Sequence, residues 1–171
     1  MRRWNGWGDP AIDYPLPDGG LAYLQQRVGA GTKIDDAPYD QVLASLPPSR
    51  LDPGPLVETD APARLTHARG QSLPDWIALR SGRIGAFPDG VAFPRSDQDV
   101  RRLLDFAARD DVHLIPYGGG TSVVGHINPA TGDRPVLTVD LRRMNRLLAL
   151  DEVSRLATLE AAPRKSVIAS T

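Results

Sequence analysis

The sequence predicts an α+β protein, in which a loop-rich amino-terminal arm with short helices, residues 1–87, precedes an α/β unit, residues 88–171. Two observations lead to this prediction. Nine of the sixteen prolines lie in residues 1–66 among acidic and glycine-rich turns, a composition typical of loops. From residue 88 onward, short apolar runs flank a stretch whose apolar residues have helical spacing.

The arm contains three predicted helices. The first two, Gly20–Val28 and Asp40–Leu46, are each ended by glycine or proline. In the third, Ser72 can cap the amino terminus, Asp75 stands at the third position of a capping box, and Gly82 supplies the stop. One face of this helix carries Leu73, Trp76, Ile77 and Arg80.

The second part begins with a strand–helix–strand pattern. The apolar run Gly90–Pro94 is followed by Ser96, a natural helix N-cap, and then by apolar residues at helical spacing. A second short apolar run spans Val112–Pro116. This βαβ pattern predicts a parallel pair with a right-handed crossover. Two or three further strands follow, the last two joined by a turn near residues 152–154, at Val136–Leu141, Leu147–Leu150 and Leu156–Ala161.

Composition and charge exclude several classes of function. A formal net charge of -1 leaves no basic footprint for nucleic acid or an anionic membrane. The absence of cysteine excludes disulfides, thiolate nucleophiles and Cys-ligated metals, and the three histidines offer no metal pair at helical spacing. No stretch approaches the roughly 20 apolar residues of a membrane span. We therefore expect a soluble, cytoplasmic protein without a transmembrane segment or metal.

A glycine-rich loop after the second strand is the candidate binding site. Glycine reaches positive φ and carries no side chain to keep a ligand from the backbone, so successive N–H groups can converge on an anion. The hydroxyls of Thr121 and Ser122 add donors, and hydrogen bonds to a charged group contribute about 1.5 to 3 kcal/mol each. Such a nest suits a pyrophosphate. The candidate residues are Pro116, Tyr117, Gly118, Gly119, Gly120, Thr121, Ser122, Val123, Gly125 and His126.

Two other phosphate loops fit the spacing poorly. A P-loop needs lysine and then serine or threonine after its last glycine, whereas His126 and Ile127 follow Gly125. A Rossmann fingerprint that begins at Gly118 needs a glycine where Val123 stands. ATP hydrolysis and NAD binding are therefore disfavoured. A flexible connection that binds nothing stays open as the alternative from glycine content alone.

Residues 116–123 read Pro-Tyr-Gly-Gly-Gly-Thr-Ser-Val, which resembles the Pro-x-Gly-Gly-Gly-Thr-Ser loop of the FAD-binding flavoproteins typified by vanillyl-alcohol oxidase and p-cresol methylhydroxylase (PCMH). Pro88–Val91 with Phe93-Pro94 before the helix, and Asp140–Asn145 after it, agree with this family. Within the family, Arg3–Gly8 and the central loop are most similar to the alkyl-dihydroxyacetone-phosphate (alkylglycerone-phosphate) synthases.

The resemblance implies a PCMH-type FAD-binding domain of two α+β subdomains, of which this chain holds the first, followed by a cap domain. It implies FAD as cofactor, and the attachment should be non-covalent because residues 118–122 contain no histidine or cysteine. The implied enzyme is a synthase-like transferase of ether-lipid synthesis that uses flavin without net redox change on a lipid-like substrate. An FAD-linked oxidase or dehydrogenase of 2-hydroxy acids and an inactive remnant stay open as alternatives. The family's catalytic tyrosine and histidine cluster has no counterpart here, so the catalytic residues and the oligomeric state are not predicted.

The chain departs from the family after its last strand. Relatives continue with a glycine that opens a further helix, whereas here Glu160-Ala161 is followed by residues 162–171, and Pro163 stops the strand. The interpretation is a truncated coding region. We therefore expect weak binding of FAD by the chain as given, and no turnover, because the family encloses the flavin ring with parts beyond the first subdomain.

The remaining polar and aromatic residues carry bland interpretations. His67 is interpreted as a solvent-contacting loop histidine and His113 as a packed strand residue, whereas His126 is either a phosphate donor or an exposed turn residue. Trp4 and Trp7 are expected to anchor the arm. A solvated face accounts for Arg142, Arg143 and Arg146.

Overall fold

The computed structural model describes residues 3–12, 15–17, 19–32 and 35–162. The predictions that concern Met1-Arg2 and residues 163–171 lie outside these described residues. The helices are α1 Gly20–Val28, α2 Tyr39–Ala44, α3 Ala61–Thr66, α4 Leu73–Ser81 and α5 Asp97–Arg109. The strands are β1 Val57–Glu58, β2 Gly90–Ala92, β3 His113–Tyr117, β4 Val136–Asp140, β5 Leu147–Asp151 and β6 Leu156–Leu159. No described helix is both long and apolar enough to cross a membrane.

The main sheet has four strands in the order β1-β2-β4-β3, and β2, β4 and β3 run parallel while β1 is antiparallel to β2. The predicted βαβ unit has parallel strands, since β2 and β3 are both parallel to β4, but the two strands are not neighbours because β4 lies between them. The physical reason is burial. All five residues of β4 are buried, whereas β3 alternates between exposed and buried positions, so β4 occupies the centre and β3 the edge.

Helix α5 covers one side of this sheet. Ser96 caps its amino terminus by accepting a hydrogen bond from the N–H of Asp99, as the sequence predicted. Leu103 and Ala107 are buried against the sheet, while Leu104 is exposed although it shares the apolar spacing. The resulting core consists of Val57, Ala92, Leu103, Ala107, Val112, Leu137 and Val139.

The predicted arm is joined to the sheet by elements that the sequence analysis did not predict. Strand β1 pairs with β2, and α3 packs beside β2. The Arg50 side chain donates to both carboxylate oxygens of buried Asp89, with Nε to Oδ1 and Nη2 to Oδ2 each at 2.8 Å. A boundary near residue 87 stays a prediction, and backbone and side-chain bonds cross that position.

Helix α4 has the predicted capping box, and Gly82 ends it in the left-handed conformation with φ +70°. Its predicted apolar face is not packed in the described part of the chain. Leu73 is 70% exposed and Ile77 is 47% exposed, whereas Asp75 and Leu79 are buried. The opposite side of α4 packs because Leu79 joins a second core in the arm and Asp75 bonds to the glycine-rich loop.

Strands β5 and β6 form the predicted antiparallel hairpin, separate from the main sheet. Most of its residues are exposed on both faces. A side-chain contact joins the two open ends of the hairpin, because the guanidinium of Arg146, just before β5, donates to Glu160, just after β6, at 2.7 and 2.9 Å.

Candidate functional site

The carboxyl ends of three parallel strands meet at one edge of the main sheet. Strands β2, β4 and β3 end there at Ala92, Asp140 and Tyr117, and the glycine-rich loop, residues 118–128, leaves from Tyr117. In open sheets with parallel strands, ligands bind beyond the carboxyl ends. The fold therefore places the predicted loop at the edge where a ligand is expected.

The three consecutive glycines differ in what they do. Gly120 has φ +68° and needs the left-handed conformation, whereas Gly118 and Gly119 do not have positive φ. A methyl group built on Gly118 would meet nothing within 4 Å, and one built on Gly119 would touch only Thr121. The internal packing of the described chain therefore does not require glycine at positions 118 and 119. Their bare surface leaves room for a ligand to reach the backbone.

The loop carries hydrogen-bond donors without protein partners. In the described part of the chain, the backbone N–H groups of Gly119, Gly120 and Thr121 donate to no protein acceptor. Gly120 is nevertheless buried. Buried backbone N–H groups are almost always paired with protein, water or ligand. Three successive donors, of which Gly120 is the buried one, fit the geometry of an anion-binding nest, and the binding role of the loop stays a prediction.

A cavity of about 290 Å³ adjoins the loop. Gly119 and Thr121 line one side, and Gln71 with residues 6–8 of the arm lines the other. The Trp7 side chain is 61% exposed and borders this cavity, while Trp4 packs against Tyr39 with ring centroids 5.6 Å apart. Trp4 therefore packs on another residue of the arm, and the expected anchoring of the arm by Trp4 and Trp7 stays a prediction.

A buried polar cluster, formed by His67, Asp140 and Arg142, lies at the same edge. His67 is 2% exposed, and its Nε2 is 2.8 Å from Asp140 Oδ2. Its Nδ1 donates to the carbonyl of Ala63 at 2.7 Å, so both ring nitrogens lie within hydrogen-bond distance of an acceptor. The ring also packs against Tyr117, with centroids 4.5 Å apart.

Asp140 is ionised in this cluster. Burial alone would raise the pKa of Asp140, but hydrogen bonds from His67 and Arg142 more than offset that effect and hold the pKa below its usual range. In turn, the hydrogen bond to Asp140 raises the pKa of Arg142, which is positively charged at neutral pH. At the edge of the sheet, the negative charge of Asp140 is therefore paired with the positive charge of Arg142.

Residues 88–165 match the family described as "FAD binding domain". The alkyldihydroxyacetonephosphate synthase of Dictyostelium discoideum is 38% identical over an alignment of 194 positions, which covers 92% of this chain and 32% of that protein. A solved alkyldihydroxyacetonephosphate synthase structure superposes with a TM-score of 0.76 at 28% identity, covering 98% of this chain and 37% of that one. Residues 88–165 therefore belong to the FAD-binding domain family.

The match to this domain family and the superposed synthase structure confirm the predicted α+β fold class. A mitochondrial D-lactate dehydrogenase (cytochrome) of Arabidopsis thaliana is also similar, at 38% identity over 63 residues, 37% of this chain and 11% of that protein. The chain spans about a third of the length of the synthases that it matches. FAD is thus the cofactor that the matched domain supports, and the bare glycines and unpartnered N–H groups of the loop fit an anionic phosphate group.

The structure corrects the interpretations of two histidines. His67 is not a solvent-contacting loop residue, because α3, a short helix that the sequence analysis missed, places it over the sheet edge. His113 is the first residue of the edge strand β3 and is exposed rather than packed. His126 is exposed, and its Nδ1 lies 3.2 Å from Ser122 Oγ.

The structure corrects the interpretation as a solvated face for Arg142, whereas Arg143 and Arg146 are exposed and also have partners. Arg142 donates to Asp140 through Nε at 2.7 Å. The Arg143 guanidinium lies over the ring of Phe93, 4.5 Å from its centroid, and Arg146 pairs with Glu160. These arginines are partnered because the chain turns back at the sheet edge immediately after β4.

Sequence reasoning missed the residues that hold the loop in place. Asn128 of the loop accepts a hydrogen bond from the Gly70 N–H and donates one to Asp75. The N–H of Gln71 donates to the carbonyl of Ser122 in the loop. The capping-box position of Asp75 was visible in the sequence, but nothing in the local pattern indicated its bond to the loop. Among the described residues, no group of three or more histidine, aspartate or glutamate side chains could hold a metal ion.

Proposed function

We propose that residues 118–122 bind FAD through its pyrophosphate, without a covalent bond, as part of a flavoenzyme resembling alkylglycerone-phosphate synthase. The observation that carries this proposal is the run of three backbone N–H groups without protein acceptors at the carboxyl edge of the sheet. Hydrogen bonds from these donors would hold the two phosphates, and the bare Gly118 and Gly119 would let the phosphates approach.

Other residues have supporting roles in this proposal. Thr121 and Ser122 supply hydroxyl donors next to the backbone nest. The cavity beside Trp7 and Gly119 would receive a further part of the dinucleotide. Bound FAD would supply the isoalloxazine ring as the reacting group. The proposed substrate is lipid-like, as the similarity to the synthases indicates.

A flavin-linked dehydrogenase of 2-hydroxy acids is the second candidate, and the similarity of 63 residues to a D-lactate dehydrogenase favours it. The two candidates share the proposed FAD loop and differ in the substrate. Bleaching of the flavin absorbance when the FAD-loaded chain is mixed anaerobically with D-lactate would favour the dehydrogenase, because bleaching requires transfer of a hydride from D-lactate to the flavin. We expect no bleaching.

The test of the FAD loop compares two charge-matched variants of the purified chain. Gly118→Asp places a carboxylate in the open space of the loop, and Gly132→Asp makes the same change before β4, at the opposite end of that strand. Neither glycine has positive φ, so neither change strains the backbone. We expect Gly118→Asp to weaken FAD binding at least tenfold and Gly132→Asp to leave it within about twofold.

Binding is measured by titration with FAD, followed by flavin fluorescence and by the backbone amide resonances of residues 118–122. ADP should compete, because it contains the same pyrophosphate. Release of all flavin on denaturation supports the non-covalent mode. Equal affinities for the two variants, or no shift of the loop resonances at millimolar FAD, would refute the loop assignment.

A further inference from the structure

The glycine-rich loop is held by the arm rather than by its own hydrogen bonds. Within residues 118–128, the described chain has one backbone hydrogen bond outside the strands, from Asn128 N–H to the carbonyl of Gly125 at 3.0 Å. The bonds that fix the loop therefore come from residues 70–75, which comprise the end of the segment before α4 and the first turn of that helix. This segment lies more than 40 residues earlier in the chain.

Asn128 makes two of these bonds with one side chain. Its Oδ1 accepts from the N–H of Gly70 at 2.9 Å, and its Nδ2 donates to Asp75 Oδ1 at 2.7 Å. The amide therefore uses its acceptor and one donor to join the end of the loop to the arm. Alanine at this position would lose both bonds.

Asp75 connects this contact to the start of α4. The side chain is buried, and its second oxygen, Oδ2, accepts from the hydroxyl of Ser72 at 2.6 Å and from the Ser72 N–H at 3.2 Å. One carboxylate thus serves the helix cap and the loop together. A capping box by itself does not require the bond to Asn128, so this bond is an additional use of Asp75.

The third contact is between backbones, and it leaves no space for a side chain. The N–H of Gln71 donates to the carbonyl of Ser122 at 2.6 Å. A methyl group built on Gly70 would overlap that same carbonyl oxygen. Ser122 is the last residue of the candidate phosphate nest, so its position fixes the direction of the preceding N–H groups.

We propose that Asn128 and Asp75 are positioning residues, which hold residues 118–122 in the conformation that directs their N–H groups toward a phosphate. This inference rests on the proposed function of the loop. Neither side chain needs to touch the ligand. They act through the backbone of the loop, which would otherwise sample many conformations because three glycines are consecutive.

The test is a reversal of the Asn128–Asp75 hydrogen bond. Asn128→Asp places two carboxylates within hydrogen-bond distance and removes the donor, so it should break the contact. Asp75→Asn alone places two amides together. In the double variant, the new amide at position 75 donates to the new carboxylate at position 128. The oxygen of that amide still accepts from Ser72, and the new carboxylate still accepts from the Gly70 N–H. The double variant should therefore restore the contact with its direction reversed.

Two measurements are made on each purified variant: the amide resonances and hydrogen exchange of residues 118–122, and the dissociation constant for FAD. We expect each single variant to shift these resonances, to speed the hydrogen exchange of these amides and to weaken FAD binding at least tenfold. The double variant should recover most of the wild-type amide behaviour and most of the FAD affinity. Asp105→Asn, an exposed charge change on α5, is the control and should alter neither.

The outcomes separate the two proposals. If wild-type chain does not bind FAD, the proposed function fails, and the amide measurements still decide whether the pair holds the loop. Unchanged loop resonances in the single variants overturn the inference, as does a double variant that folds without recovery. If a single variant does not fold, the double variant decides alone: recovery of fold and loop resonances supports the inference, and failure to fold overturns it.

Discussion

Asp140 holds the polar cluster at the sheet edge together, because its carboxylate accepts hydrogen bonds from both His67 and Arg142. It is fully buried between His67 and Arg142, and its pKa is held below the ordinary value of 3.8 by the hydrogen bonds that these two donate, which outweigh the cost of burial. A carboxyl group with a lowered folded pKa stabilises the protein at neutral pH. That contribution is lost as the pH falls through the folded pKa.

We expect Asp140→Asn to lower the free energy of unfolding by about 3 kcal/mol at pH 7, because it leaves the charged guanidinium of Arg142 without its anionic partner. We also expect a weaker acid dependence. Wild-type stability should be level down to about pH 4 and fall below it, and the variant should lose less over the same range. Urea unfolding between pH 7 and pH 2.5 measures both effects.

Asp110→Asn is the control for this prediction, because Asp110 pairs with Arg109 on the surface and exposed pairs contribute little. Its stability should follow the wild-type curve at every pH. The acid loss that persists in Asp140→Asn should come from other buried carboxylates. Asp89 is one of them, since bonds from Arg50 and the Val136 N–H offset its burial and lower its pKa. A variant with wild-type stability at pH 7 would contradict the role given to Asp140.

At the scale of elements, the strands and helices differ sharply in how firmly they are held. Strand β4 is paired on both sides and all its residues are buried. Helix α1 has the same bounds that the sequence predicted, yet none of its residues is buried. Short isolated helices are marginal in water, so α1 gains little from its own propensity.

We therefore expect the amides of β4 to have the slowest hydrogen exchange in the protein and those of α1 to have some of the fastest. The amides of residues 137–139 should exchange last, with the global unfolding reaction, and those of α1 should exchange fastest among the helices. Exchange followed by mass spectrometry or by amide resonances measures this order. Equal protection of α1 and β4 would show that α1 packs against the protein in solution.

Sequence patterns predicted several elements closely and missed others. Helices α1, α4 and α5 and the β5–β6 hairpin were predicted because caps, stops and turn residues act within a few positions. Strand β1 and helix α3 were missed because two and six residues are too short to show a period. The exposed face of α4 was not predictable, since an apolar stripe shows that a face can pack but not that a partner is present.

At the scale of the whole molecule, the described chain leaves large apolar side chains on its surface. Leu73, Trp76 and Ile77 are exposed on α4, and Val153 and Leu156 are exposed on the hairpin. The two-stranded sheet of β5 and β6 also has unpaired backbone along its edges. Apolar patches and open strand edges of this kind favour contact between copies.

We expect the purified chain to associate as its concentration rises. Val153→Lys with Leu156→Lys should reduce this association, because charges on an exposed strand oppose pairing between copies. Leu104→Lys on α5 is the control, since its side chain is exposed and belongs to a different element from the hairpin. Size-exclusion chromatography with light scattering gives the mass at each concentration. A constant monomer mass for the wild-type chain would contradict the prediction.

The sequence by itself determined the α+β class, the glycine-rich loop as the candidate phosphate site and the resemblance to FAD-binding flavoproteins. These properties depend on neighbouring residues: the spacing of apolar positions, helix caps, and three adjacent glycines after a strand. Family membership confirmed the fold class and supports FAD as the cofactor. The roles of the ten candidate residues stay a prediction, which the Gly118→Asp experiment tests.

Only the tertiary structure decided where β4 is inserted, that His67 is buried, and that the arm holds the loop. The bond from His67 to Asp140 joins residues 73 positions apart, and that from Asn128 to Asp75 joins residues 53 positions apart. Contacts at such separations depend on which surfaces are covered when the whole chain packs, because each local segment tolerates several environments. A local pattern therefore predicted the donors of the loop, and the proposal that the arm sets their direction rests on these tertiary contacts.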